Sequence, residues 1–211
     1  DGPPREVFWS WLDGVRSAGD RRLSVFVGAP RGRSRSGGLP LAEAYALARA
    51  APNLVVGGIA IAERHVAKEN EHERMLAKQD RGCRFFVTQS VYDAASTKSL
   101  LSDYALSLQA RGRPPVPVVL TFSPCGSART LDFMKWLGIS FPRWLENELR
   151  HSADTLERSI DLCESVFTDV QAYARDKHLP IGINVESVSI RRSEIEASVE
   201  LYRRLSSRLA E

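Results

Sequence analysis

Short apolar runs alternate with longer amphipathic stretches along almost the whole chain. Leu23–Val27 (LSVFV), Leu54–Ala60 (LVVGGIA), Cys83–Val87 (CRFFV), Val116–Phe122 (VPVVLTF) and Ile181–Val185 (IGINV) are bounded by Gly, Pro or polar groups. Runs of this length and composition predict strands buried on both faces, as in a parallel sheet. Helical spacing fills the intervals. A short helix covers Val7–Val15, and Pro40 opens a second that carries Leu41, Ala44, Tyr45 and Leu47. The charged stretch KENEHERMLAKQDRG, with Met75 and Leu76 as its apolar contacts, predicts a surface helix. Further helices run to about Arg111 and to Leu137, and Leu156, Ile160, Cys163, Phe167, Val170 and Ala174 form one long stripe. Ile139–Leu149 makes a short extra element with Pro142 in its first turn. Ser193 and Glu196 have capping-box spacing at the head of the last helix. Strands alternating with helices in units of about 30 residues predict an α/β fold with a parallel sheet.

In such sheets ligands sit at the polar tips of strands. The tips expected here are Gly28-Ala29-Pro30, Ile61–His65, Thr88-Gln89, Ser123–Ser127, and Asn184 with Glu186 and Ser187. The stretch Gly82–Asp93 (GCRFFVTQSVYD) is the most pronounced: its apolar run stops abruptly at Thr88 and Gln89. Gln89 is the first candidate for ligand contact, because its amide suits a planar heterocycle bearing both donors and acceptors. The loop RGRSRSGG after the first strand either cradles a phosphate or carboxylate or is a solvated basic loop. Gly-x-Gly-x-x-Gly and Walker patterns are absent. His65 and His72 stand seven apart with no matching Cys or carboxylate constellation, so no metal site is expected.

Composition narrows the classes. The 211 residues suit one domain with one core. Lys and Arg number 29 against 26 Asp and Glu, and a net charge of +3 does not imply a nucleic-acid partner. No apolar run reaches membrane-spanning length, so no membrane partner is expected. Cys83, Cys125 and Cys163, odd in number and widely spaced, predict reduced core thiols in a cytoplasmic protein.

The order of several short motifs resembles the second half of the methylenetetrahydrofolate reductase barrel. GGIAIAERH is similar to a family strand ending in Tyr-Pro-Glu-x-His, and GCRFFVTQSVYD to a strand reading Ala-x-Phe-x-x-Thr-Gln-x-x-Phe-Asp. SFPRWL resembles an Ile-Pro-x-Trp segment, and RRSEI an Asn-Arg-x-Glu before the last helix. The resemblance runs from about Leu23 to the C-terminus. It implies a (βα)8 TIM barrel of which this chain supplies strands four to eight. It also implies about 80 to 100 further N-terminal residues, on the length of three βα repeats. Five strands without the rest expose two sheet edges, which favours pairing with a second copy as a homo-oligomer.

The activity implied is reduction of 5,10-methylenetetrahydrofolate to 5-methyltetrahydrofolate with NAD(P)H. By resemblance Gln89 and Thr88 meet the pterin, with Trp144 and Arg192 also on the substrate side. Gly28, Glu63, His65 and Lys78 match the flavin side of the family site. Departures accompany these matches: Val27-Gly28-Ala29 stands where the family has Arg-Gly-Asp, Ile61 replaces a Tyr over the flavin, and the strands carrying the family's general-acid Glu are not present. FAD is therefore either bound differently or bypassed by direct hydride transfer from the nicotinamide. An acid is still needed to protonate nitrogen, and Glu186 at the last strand tip is the carboxylate expected in that role. Two other readings stay open: a folate-binding barrel without reductase activity, acting as carrier or regulator, and a flavin-free transferase acting on another pterin.

Overall fold

The computed structural model describes residues 4–28 and 38–209. Along the chain run α1 (Pro4–Ala18), β1 (Arg22–Phe26), α2 (Leu41–Ala48), β2 (Leu54–Ala60), α3 (Ala62–Lys68), α4 (Glu71–Asp80) and β3 (Phe85–Ser90). They are followed by α5 (Ala94–Ala110), β4 (Val118–Phe122), α6 (Ala128–Trp136), α7 (Arg143–His151), α8 (Thr155–Asp176), β5 (Ile181–Val185) and α9 (Arg192–Leu209). The α/β class and the bounds of β2 and β5 match the pattern read from the sequence. Ala29 and the arginines of the loop after β1 lie outside the described residues.

The strands form one parallel sheet in the order β1-β2-β3-β4-β5, without the reversal that marks a doubly wound sheet. Right-handed crossovers that always step the same way put their helices on one face. Side-chain contacts agree. Phe86 of β3 packs edge-on against Tyr104 of α5, and Phe122 of β4 against Phe167 of α8. Leu100, Leu101, Leu120, Leu131 and Leu201 extend that buried layer. The opposite face is open. Leu23 and Val25 of β1 are 68% and 36% exposed, and Val55, Ile59, Phe85, Val87 and Val119 are only partly covered.

Asp93, Ser127 and Asp154 cap α5, α6 and α8 by accepting hydrogen bonds from first-turn N–H groups. Several details differ from the sequence pattern. Ile61–His65 follows β2 directly, as expected of its tip, and is helical there: Ile61 is the N-cap residue of α3, which starts at Ala62. The charged stretch holds one helix, α4, as its pattern predicts, and Glu69 in a left-handed conformation (φ 50°) separates it from α3, which ends at Lys68. Thr88 and Gln89 are inside β3, whose pairing with β4 shifts register between Val87 and Ser90. Pro142 is the N-cap residue of α7 rather than a residue of its first turn. Ser193 and Glu196 do not form a capping box: α9 begins a residue earlier, and the Glu196 carboxylate accepts from Arg192 Nε at 2.7 Å.

Candidate functional site

At the C-terminal ends of β1 and β2 lies a cavity of about 550 Å³. Its apolar wall includes Phe26, Leu41, Ile59 and Ile61, and its polar wall consists of Arg64, Lys68, Arg74 and Lys78. The two short helices after β2 build the polar wall. The turn of α3 that follows Ile61 presents Arg64 and Lys68, and the left-handed joint at Glu69 swings α4 so that Arg74 and Lys78 face the same space.

One carboxylate organises these cations. Glu71 is fully buried and accepts from Arg64 Nη1 at 3.2 and 3.1 Å, while Arg74 Nε lies 3.1 Å and Lys78 Nζ 3.9 Å away. Three cations around this single anion, with Lys68 on the same wall, leave three net positive charges at one cavity. Lys78 is buried, and its ammonium donates to the Ile59 carbonyl. Burial lowers its pKa, opposed by Glu71 and reinforced by Arg74. Its stem passes over Gly58, where a Cβ would lie 2.8 Å from the Tyr45 hydroxyl and 3.1 Å from Lys78 Cδ. Glycine at that position in LVVGGIA lets the lysine cross the strand.

A second group of residues meets at the rim. After α6, Gly138 (φ 90°) turns the chain through a conformation that L side chains avoid. That turn brings the Leu137 carbonyl to 3.5 Å from Gln89 Nε2, and the Ser140 N–H donates to Glu63 Oε1 at 3.1 Å. Burial raises the Glu63 pKa; hydrogen bonds from backbone N–H groups oppose the rise and Asp93 adds to it. The carboxyl thus holds a proton more readily than an ordinary surface glutamate. Gln89 projects from β3 beside the bulge, which is where sheets commonly re-aim a functional side chain.

The residues expected at the site separate into two groups. Gly28 and Lys78 line the cavity, and Glu63 and Gln89 are joined to its rim through the loop that contains Leu137 and Ser140. The others do not join them. Thr88 is buried, and its Oγ1 accepts from the Thr121 N–H at 2.9 Å, patching the β3–β4 ladder across the bulge. His65 is turned away between α3, α4 and α5, with Nε2 3.1 Å from Asp103 Oδ2. Trp144 is 59% exposed at the start of α7, and the Arg192 side chain is 92% exposed. Glu186 is exposed after β5, and among the described residues its carboxylate makes no hydrogen bond or ion pair. Of the positions matched to a flavin, Gly28 and Lys78 line the cavity, Glu63 is held at its rim by the Ser140 N–H, and His65 points elsewhere.

The sequence reading missed Arg64, Lys68, Arg74 and Glu71. Their signal was an acidic residue on the same stripe as the apolar Met75, with Lys78 completing an i, i+4, i+7 series. It also missed Glu194, buried on α9, whose Oε1 accepts from Thr130 Oγ1 at 2.9 Å.

No protein-family model and no curated protein matches the chain. Among solved structures it is similar to a protein from Clostridium thermocellum, itself uncharacterized, that binds two copies of 5-methyl-5,6,7,8-tetrahydrofolic acid. The two are 43% identical with a TM-score of 0.77, over 90% of this chain and 67% of that one. This chain belongs to the family of that folate-binding protein. The aligned region takes in most of the sheet and its helices. Among the described residues no helix is long and apolar enough to cross a membrane.

Proposed function

We propose that the protein binds a reduced folate at the C-terminal ends of β1, β2 and β3. The observation that carries this reading is a cavity with three uncompensated positive charges on a chain 43% identical to a folate binder. A folate has a planar pterin at one end and glutamate carboxylates at the other. The guanidinium forks of Arg64 and Arg74, with Lys68, suit the carboxylates. The Gln89 amide suits the pterin edge, since it offers donors and an acceptor beside a partly open strand end. Calorimetric titration with 5-methyltetrahydrofolate should give saturable binding that Lys68→Ala weakens about tenfold, a loss of roughly 1.4 kcal/mol. Absence of saturable heat, or unchanged affinity in both Lys68→Ala and Gln89→Leu, defeats the proposal.

The same sheet is read as strands four to eight of a (βα)8 barrel. Its unbroken strand order supports this, and so does an apolar face that closure into a barrel would turn inward. If strands of a second copy cover that face instead, the protein is a homo-oligomer, which its mass in solution would reveal.

Glu63 favours a second reading, in which the folate is not only held but reduced. Conversion of 5,10-methylenetetrahydrofolate to 5-methyltetrahydrofolate consumes one hydride and one proton. Opening the imidazolidine ring leaves an iminium carbon and a nitrogen that takes up the proton. A carboxyl with a raised pKa at the rim is placed to hold that proton until the nitrogen is released. NAD(P)H, when bound, would supply the hydride. Methylenetetrahydrofolate-dependent NAD(P)H oxidation that Glu63→Gln abolishes and Glu186→Gln leaves intact would support the reductase. Tight folate binding without turnover would leave the carrier or regulator reading.

A further inference from the structure

Outside the folate cavity, three groups converge where α3, α4 and α5 meet. His65 belongs to the last turn of α3, His72 to the first turn of α4, and Asp103 to the middle of α5. The left-handed joint at Glu69 folds the two histidines against each other, with ring centroids 5.3 Å apart and planes at 85°. One nitrogen of each ring and a carboxylate oxygen of Asp103 lie within 4.8 Å of one another.

The hydrogen bonding of this cluster is incomplete. His65 is buried, and its contact with Asp103 uses Nε2 alone; Nδ1 has no partner among the described residues. His72 Nδ1 is buried and likewise without a partner among the described residues. Its Nε2 lies 3.6 Å from Glu73, beyond a hydrogen bond, and Glu73 already accepts from Arg111 at 2.9 and 2.7 Å. Two adjacent imidazoles with unused nitrogens and a carboxylate beside them make a donor set that packing alone does not explain.

We infer that His65, His72 and Asp103 bind a divalent transition-metal ion, zinc being the best match to two imidazoles and one carboxylate. Zinc holds such ligands at about 2.0–2.2 Å in a tetrahedron, which places ligand atoms about 3.3 Å apart. Small side-chain rotations bring the present cluster to that spacing. The ion replaces the proton shared between His65 and Asp103, and water takes the fourth position. An adjoining cavity of about 860 Å³, lined in part by His65, Glu69, Ser99 and Asp103, admits the ion and its water. The ion has a positioning role. It fixes α3, which carries Glu63 and Arg64, to α4, which carries Arg74 and Lys78, with α5 as the anchor.

The test uses the full chain after chelator treatment, titrated with zinc alone by calorimetry, and with cobalt for its ligand-field spectrum. One equivalent of zinc, a tetrahedral cobalt spectrum and a melting temperature that rises with zinc are expected. His72→Ala and Asp103→Asn should each weaken zinc binding at least tenfold while circular dichroism shows the helices intact, and His151→Ala, on α7, should not. Failure to take up one equivalent overturns the site, as does zinc affinity unchanged in both variants. Folate binding is scored separately, so the two proposals can fail independently.

Discussion

The tips of β2 and β5 were both read from the sequence as places where polar residues serve a ligand, and the structure treats them in opposite ways. Beyond β2 the charged residues are drawn inward. Glu71 is fully buried, Lys78 nearly so, and each is tied to specific partners. Beyond β5 the two charged residues singled out from the sequence stay in water: Glu186 is exposed, and the exposed Arg192 pairs, among the described residues, with its helical neighbour Glu196. Charge run and charge pair look alike as text. What separates them is a second helix. At β2 the break at Glu69 packs α3 against α4 and closes a wall, whereas β5 leads through a short irregular segment into a single long helix. A concentrated field needs that enclosure, because exposed charges are screened by solvent and salt.

The sharpest way to break this contrast is to remove Glu71. Glu71→Ala leaves Arg64, Arg74 and Lys78 without their common anion, and loss of one partner from a buried ion cluster costs about 3–5 kcal/mol. Urea unfolding should show a much lower midpoint, partly restored by saturating 5-methyltetrahydrofolate. A midpoint within error of wild type would mean that the cluster is solvated after all.

Lys78→Met should lower folate affinity by about tenfold or more, in line with roughly 1.5–3 kcal/mol for a charged hydrogen-bonding group. The matched change at the other tip, Arg192→Met, should leave the dissociation constant alone. Equal losses at both sites would erase the distinction drawn here.

Glu63 gives a smaller effect with a definite sign. Burial raises its carboxyl above the ordinary 4.5, so the folded chain keeps a proton that the unfolded chain has already released. Between 4.5 and the raised value, stability declines as pH increases, and below that window its contribution is fully present. Glu63→Gln should flatten this part of the stability–pH curve. A slope that the substitution does not change would assign it to other groups. Smallest of all, Glu186→Gln and Arg192→Ala should each shift stability by no more than about 0.5 kcal/mol in thermal melts, as exposed charges do.

Much of the framework was legible because strand burial writes itself into short apolar runs: β2 and β5 end where LVVGGIA and IGINV end. β3 was harder. Thr88 looks like the end of an apolar run, yet its hydroxyl replaces a backbone acceptor for Thr121 and lets the strand continue to Ser90. Such a substitution of side chain for main chain leaves no periodic trace. Glu71 was hidden by composition, since in KENEHERM the eye counts charges, while burial depends on which charge shares a stripe with Met75. Asp103 was invisible as a partner of His65 because it comes from α5, on the far side of β3 in the sequence. Of the site residues proposed near β5, Arg192 was placed by resemblance and Glu186 by its position at a strand tip, and the folding of the loop before α9 leaves both apart from the cavity.

The unbroken strand order also has a bearing on how the chain is made. Within this five-stranded sheet each strand after β1 pairs with the one synthesised just before it, so among the described residues these pairings each span one βα unit. Contacts of this short range carry a low loop-closure cost. A nascent chain can therefore add its sheet one strand at a time, in the direction of translation. The growing edge at each moment is the newest strand, and the cationic wall of the cavity is complete once α4 has emerged, before β3 exists to close the rim.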